Sequence, residues 1–125
     1  MRVAILGAGE IAKMMARTLR GMKANGEDVE LYAVGSRSQD KADAFAHKEG
    51  VLKAFGSYEE MAKSDAIDAA YIAVPHSGHK ACSCLMMNNG KHVLCEKPMA
   101  VNYREACEMF ACAEKNGVLL MEAMW

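Results

Sequence analysis

Two groups of residues near the start of this chain have the types and spacing to do chemistry. The first is Gly7-Ala8-Gly9-Glu10-Ile11-Ala12, which follows a short apolar run at residues 3–6 and opens an amphipathic stretch. Gly7 permits a tight turn, Gly9 lets a ligand approach the backbone, and small Ala12 lets a helix pack closely on a strand. A helix starting there aims unpaired N–H groups and its positive dipole end at the space before it, which suits the pyrophosphate of a dinucleotide. Glu10 suits the dipole but repels such a ligand, so its side chain is expected to point outward.

The second group is Gly35-Ser36-Arg37-Ser38, with no acid until Asp40. Sites that prefer NAD place Asp or Glu here to hold the adenosine ribose 2′-OH. An arginine pairs bidentately with a 2′-phosphate and stacks on adenine, while Ser36 and Ser38 supply hydroxyl donors. The expected cofactor is therefore NADP in preference to NAD.

These groups need a scaffold, and strand-like and helix-like stretches alternate along the chain. Strands are expected at residues 3–6, 29–35, 53–55, 69–74, 92–95 and 118–121. Helices are expected at 10–24, with Ile11, Met14, Met15, Thr18, Leu19 and Met22 as the buried stripe, at 39–48, and at 79–88. Ser57 and Glu60 form a capping box for a short helix ending near Lys63. Asn102 and Glu105 cap another helix, in which Ala106, Met109, Phe110 and Ala113 recur at helical spacing. The fold class is α/β: a Rossmann-type, doubly wound parallel sheet in three layers, with expected strand order 3-2-1-4-5-6 over residues 1–125. That order opens the loops after residues 6, 35, 74 and 95 on one carboxyl edge.

Hydrophobic residues make up 52% of the chain, charged ones 25%, and the net charge is −1, so nothing argues for nucleic acid or a membrane surface. The apolar run at 3–6 is too short for a signal peptide, and the expected location is cytoplasmic. Five cysteines without a CxxC pair are read as reduced, mostly buried apolar residues. His76, His79 and Cys82 recur at three-residue steps, but a loop leading into a helix explains them better than a metal site, and no metal is expected.

Three later motifs carry a resemblance: Ile72-Ala73-Val74-Pro75-His76-Ser77-Gly78-His79, Gly90-Lys91-His92-Val93-Leu94-Cys95-Glu96-Lys97-Pro98, and Met121-Glu122-Ala123-Met124-Trp125. In type, order and spacing the chain resembles the glucose–fructose oxidoreductase, inositol dehydrogenase and rhizopine-catabolism (Gfo/Idh/MocA) family. The ending is similar to the branch with the dimeric dihydrodiol dehydrogenases. The resemblance implies that Gly7, Ala8, Gly9, Glu10 and Ile11 border the pyrophosphate and that Ser36 and Arg37 surround the adenosine ribose. It also implies that Val74, Pro75, His76 and His79 line the ribose and nicotinamide side, that Glu96 and Lys97 reach the nicotinamide and substrate, and that Lys97 is catalytic. Val74 stands for a common threonine and His76 for a common asparagine, which removes one hydroxyl and one amide contact.

A lysine held beside an oxidised nicotinamide and partly desolvated gives up its proton readily, so it can exchange one with a substrate hydroxyl. Glu96 has a second reading, as the partner of a nearby base. Trp125 reads either as a wall of the substrate pocket or as a ring buried against the sheet. The resemblance further implies a C-terminal α+β domain, absent here, that supplies substrate contacts and a homo-oligomer surface. The expected activity is hydride transfer between a nicotinamide cofactor and a sugar, polyol or dihydrodiol alcohol, with this portion alone inactive. The rival readings are a non-catalytic NAD(P) sensor and, more remotely, a methyltransferase.

Overall fold

Along β1 (Arg2–Leu6), Ala4 and Leu6 enter one hydrophobic core while Val3 and Ile5 enter another on the opposite face of the sheet. That period of two is what a strand covered on both sides requires. The computed structural model describes residues 1–124, and Trp125 lies outside the described residues. It contains one six-stranded, wholly parallel sheet in the order β3-β2-β1-β4-β5-β6, as the alternation implies. The remaining strands are β2 (Glu30–Gly35), β3 (Lys53–Phe55), β4 (Ala69–Ile72), β5 (His92–Glu96) and β6 (Leu120–Ala123).

Helices α1 (Glu10–Ala24) and α2 (Gln39–Glu49) pack on β1 to β3 from one side through Ala12, Ala16, Leu19 and Phe45. Helices α3 (Tyr58–Ala62), α4 (His79–Asn88) and α5 (Tyr103–Asn116) cover the other through Met61, Met86, Met87 and Met109. Local chemistry sets their ends. Ser38 Oγ accepts from the Lys41 amide at 3.4 Å, and Asn102 Oδ1 accepts from the Glu105 amide at 2.9 Å. Gly50 and Gly117 close α2 and α5 at φ +66° and +63°, a conformation that costs a side-chain-bearing residue.

Four expectations need correction. The buried stripe of α1 is Ala12, Ala16 and Leu19, while Met14 and Met22 are exposed. Two alanines one turn apart let the helix lie close to the sheet, and the bulkier methionines turn toward the uncovered face of β4 and β5. Phe110 is likewise exposed, because α5 meets its neighbours through Met109 and Ala113. Ser57 Oγ accepts from the Glu60 amide at 3.3 Å, but its hydroxyl donates to Glu59 at 2.8 Å, so only half of the capping box forms. β6 begins two residues late, since its pairing with β5 starts at Leu120 opposite Val93.

The five cysteines are free. Cys82 and Cys95 are buried and Cys107 is exposed. No helix among the described residues is long and apolar enough to cross a membrane.

Candidate active site

The turn after β1 is made by a residue that can be only glycine. Gly7 sits at φ +107°, and a Cβ there would lie 2.6 Å from the Ala73 carbonyl oxygen. Its amide donates to the Gly35 carbonyl at 2.9 Å, so the turn is locked between the ends of β2 and β4. Two residues on, Gly9 is the N-cap of α1 and offers no side chain to the first-turn amides. Among the described residues nothing lies within 4 Å of where its Cβ would be. The helix terminus therefore keeps donors aimed at open space, where an anion can approach. Ala12 is fully buried beneath it. Glu10 points outward, 87% exposed, and pairs with Lys13, which holds its carboxyl below the usual range.

At the end of β2, Ser36 is buried and its amide donates to the Phe55 carbonyl at 3.0 Å. Its Oγ accepts from the Ser38 amide at 3.4 Å, leaving the hydroxyl proton free to donate. Arg37 is exposed, and no carboxylate among the described residues lies within ion-pair distance of it. Asp40, the nearest acid along the chain, is exposed in the first turn of α2.

The loops after β4 and β5 meet Ile11 across a depression of about 230 Å³ lined by Ala73, Val74, His76, His79, Glu96 and Lys97. One cavity thus gathers Ile11, Val74, His76, His79, Glu96 and Lys97 from loops far apart in the chain. Pro75, exposed on the same loop, begins the short 3₁₀ turn His76–Gly78 ahead of α4. Lys97 is exposed at the mouth, with its amide donating to Glu96 Oε2 at 3.0 Å.

Glu96 is 6% exposed and pairs with no base among the described residues. Its other oxygen accepts from the hydroxyl of buried Tyr71 on β4, and burial together with that carboxylate raises the phenol well above its ordinary range. Sequence reasoning missed Tyr71, whose signal was the single hydroxyl in the apolar run 69–74. It also missed Glu122, which accepts from the Met99 amide at 2.8 Å and pins the far side of the Lys97 loop. Replacing Tyr71 with Phe is expected to lower the unfolding free energy in urea by about 1–3 kcal/mol, because Glu96 then loses a buried donor.

His79 lines the depression as expected, with its ring fully buried. Nδ1 lies 2.9 Å from the Pro98 carbonyl oxygen and Nε2 3.0 Å from that of Val74. Both nitrogens are committed to the backbone. No group of three His, Cys, Asp or Glu side chains arranged to hold a metal occurs among the described residues.

Alongside this edge runs a second hollow of about 510 Å³, between α1 and the uncovered side of β4 to β6, lined by Met14, Met15, Tyr71, Glu96 and Met121 among others. Glu96 borders both spaces.

Comparison with known proteins agrees with this geometry. The profile of the Gfo/Idh/MocA oxidoreductase family, with an NAD-binding Rossmann fold, matches residues 1–124. The scyllo-inositol 2-dehydrogenase (NADP(+)) IolU of Bacillus subtilis is 48% identical over 124 residues, covering 99% of this chain and 37% of that protein. The trans-1,2-dihydrobenzene-1,2-diol dehydrogenase of Mus musculus is 44% identical over 125 residues, covering all of this chain and 37% of that protein. A solved structure of the 3-ketoreductase KijD10 from Actinomadura kijaniata, in complex with TDP-benzene and NADP, superposes with a TM-score of 0.86 at 31% identity. That match covers 98% of this chain and 37% of KijD10. The chain thus spans little more than a third of the length of these relatives. A glycine turn at the end of β1, four loops sharing one carboxyl edge and the full-length profile match all lead to one assignment: the chain belongs to the Gfo/Idh/MocA oxidoreductase family, through its NAD-binding Rossmann domain.

Proposed function

We propose that this chain is the nucleotide-binding part of an NADP-dependent oxidoreductase acting on an alcohol carbon of a sugar, polyol or dihydrodiol. The observation that carries this reading is the shared depression into which Ile11 of the phosphate-binding turn, Glu96 and Lys97 all open. The bare Cβ position of Gly9 and the uncapped N-terminus of α1 fit a pyrophosphate. Ser36 and Arg37 fit the adenosine ribose and its 2′-phosphate.

When bound, a nicotinamide coenzyme supplies the group that accepts or donates hydride. In alcohol oxidation, the neutral Nζ of Lys97 takes the hydroxyl proton while the carbon's hydrogen leaves as hydride and the C–O bond becomes a carbonyl. In ketone reduction, the ammonium returns that proton and stabilises the charge growing on oxygen. Glu96, held by Tyr71, fixes the backbone from which Lys97 projects. Substrate contacts and a homo-oligomer surface are assigned to further chain of the kind the longer relatives have, and the location to the cytoplasm. The similarity to the NADP(+) enzyme IolU and to the NADP-bound KijD10 structure supports the choice of NADP.

Titration with the two cofactors tests the reading. NADPH is expected to bind about 10- to 150-fold more tightly than NADH, the equivalent of one charged hydrogen-bonded contact, and Arg37→Ala to erase that difference. Equal affinities in the unmutated protein would overturn the assignment of Arg37.

A further inference from the structure

Two carbonyl oxygens face the two nitrogens of the fully buried His79 ring at 2.9 and 3.0 Å. A carbonyl oxygen only accepts, so each contact requires a proton on the nitrogen. A neutral imidazole has one such proton. Its other nitrogen would then set a lone pair against a carbonyl oxygen, an unfavourable contact for a buried ring. Only the doubly protonated ring satisfies both.

The titratable groups lining the depression with it are His76, Glu96 and Lys97. The His76 ring stands edge-on with its centroid 5.3 Å away. Glu96 favours a cation at His79, whereas burial, Lys97 and the N-terminus of α4 oppose one. Cys82, one turn along α4, is a neutral thiol, pushed up to about 11 mainly by burial. From α1 the depression receives only Ile11. The two carbonyl dipoles are the closest partners and decide the balance.

We propose that His79 is a positioning residue: as an imidazolium it donates to the Val74 and Pro98 carbonyls at once and fixes the distance between the loops after β4 and β5. Those loops carry Pro75 and His76 on one side and Lys97 on the other. The clasp therefore sets where Lys97 stands relative to the cofactor side of the cavity. What the clasped loops hold rests on the function proposed above, but the clasp does not.

Two measurements test it. In the ¹⁵N-histidine-labelled chain at neutral pH, the His79 ring, assigned by its loss in His79→Gln, is expected to show a bonded proton on both nitrogens. A single protonated nitrogen would overturn the proposal, and this arm needs no cofactor. In NADPH titrations, His79→Phe, which keeps the volume but neither donor, is expected to weaken binding at least about tenfold, one hydrogen bond's worth. His79→Gln, which keeps one donor, is expected to recover part of that loss. Equal affinity in all three proteins would overturn the positioning role. Failure of the unmutated chain to bind NADPH would instead fault the functional reading, leaving the proton count to decide the clasp.

Discussion

In an enzyme that carries this chain as its nucleotide-binding part, Lys97→Ala is expected to lower kcat by about 10²- to 10⁴-fold, the contribution of a positioned acid–base group. The dissociation constant for NADPH is expected to stay within about threefold, since a group acting on the substrate oxygen adds little to ground-state cofactor binding. The side chain is exposed at the mouth of the depression, so its removal leaves the core untouched. Its backbone stays tied to Glu96 and, through Met99, to Glu122. A loss of turnover therefore reports chemistry and not collapse of the loop. Steady-state kinetics with NADP and a panel of polyols, beside a cofactor titration, checks it. Normal turnover in the variant would remove Lys97 from the mechanism.

Gly7→Ala is expected to act on the fold itself. The residue occupies φ +107°, and its new Cβ would sit 2.6 Å from the Ala73 carbonyl oxygen and 2.9 Å from the carbonyl carbon. Both are backbone atoms of the neighbouring strand's end, so no rotamer change relieves the clash. The backbone conformation alone costs about 1–3 kcal/mol, and forcing extra volume into a packed site a further 1–3 kcal/mol or so. Against a total stability of about 5–15 kcal/mol, such a loss should lower Tm by roughly 10 °C or unfold the chain. Gly9→Ala is the control. Its Cβ meets nothing within 4 Å among the described residues, so the melting temperature should hold while NADPH binding weakens, because in the proposed reading the methyl group occupies the ligand's line of approach. Thermal unfolding followed by circular dichroism separates the two. Equal melting temperatures for both variants would contradict the assigned roles.

The contrast between these glycines shows what could be read along the chain and what could not. Strand order was legible because it depends on local signals: the apolar runs, the glycine stops and the handedness of crossovers. Ser36, Arg37 and the motif around Lys97 were legible because residue type and neighbours in sequence suffice to notice them. Interactions between distant residues were not. Tyr71 reaches Glu96 across 25 positions, and His79 reaches Pro98 across 19. Nothing in either stretch states which side chain the sheet will bring to the other. The two backbone carbonyls that the His79 ring meets were thus not legible in the sequence. Met14 and Met22 misled for a different reason. Periodicity finds an apolar face, but the close approach of α1 selects the small Ala12 and Ala16 for burial and leaves the larger side chains over β4 and β5.

The central claim is that backbone amides of the turn after β1 hold the phosphates of a nicotinamide dinucleotide. Titrating NADPH into the ¹⁵N-labelled chain and following each amide tests it directly. Saturable shifts are expected to concentrate at Gly7 to Ile11, with a second set at Ser36 and Arg37. Those amides staying still while others move, or no saturation at millimolar NADPH, would contradict it.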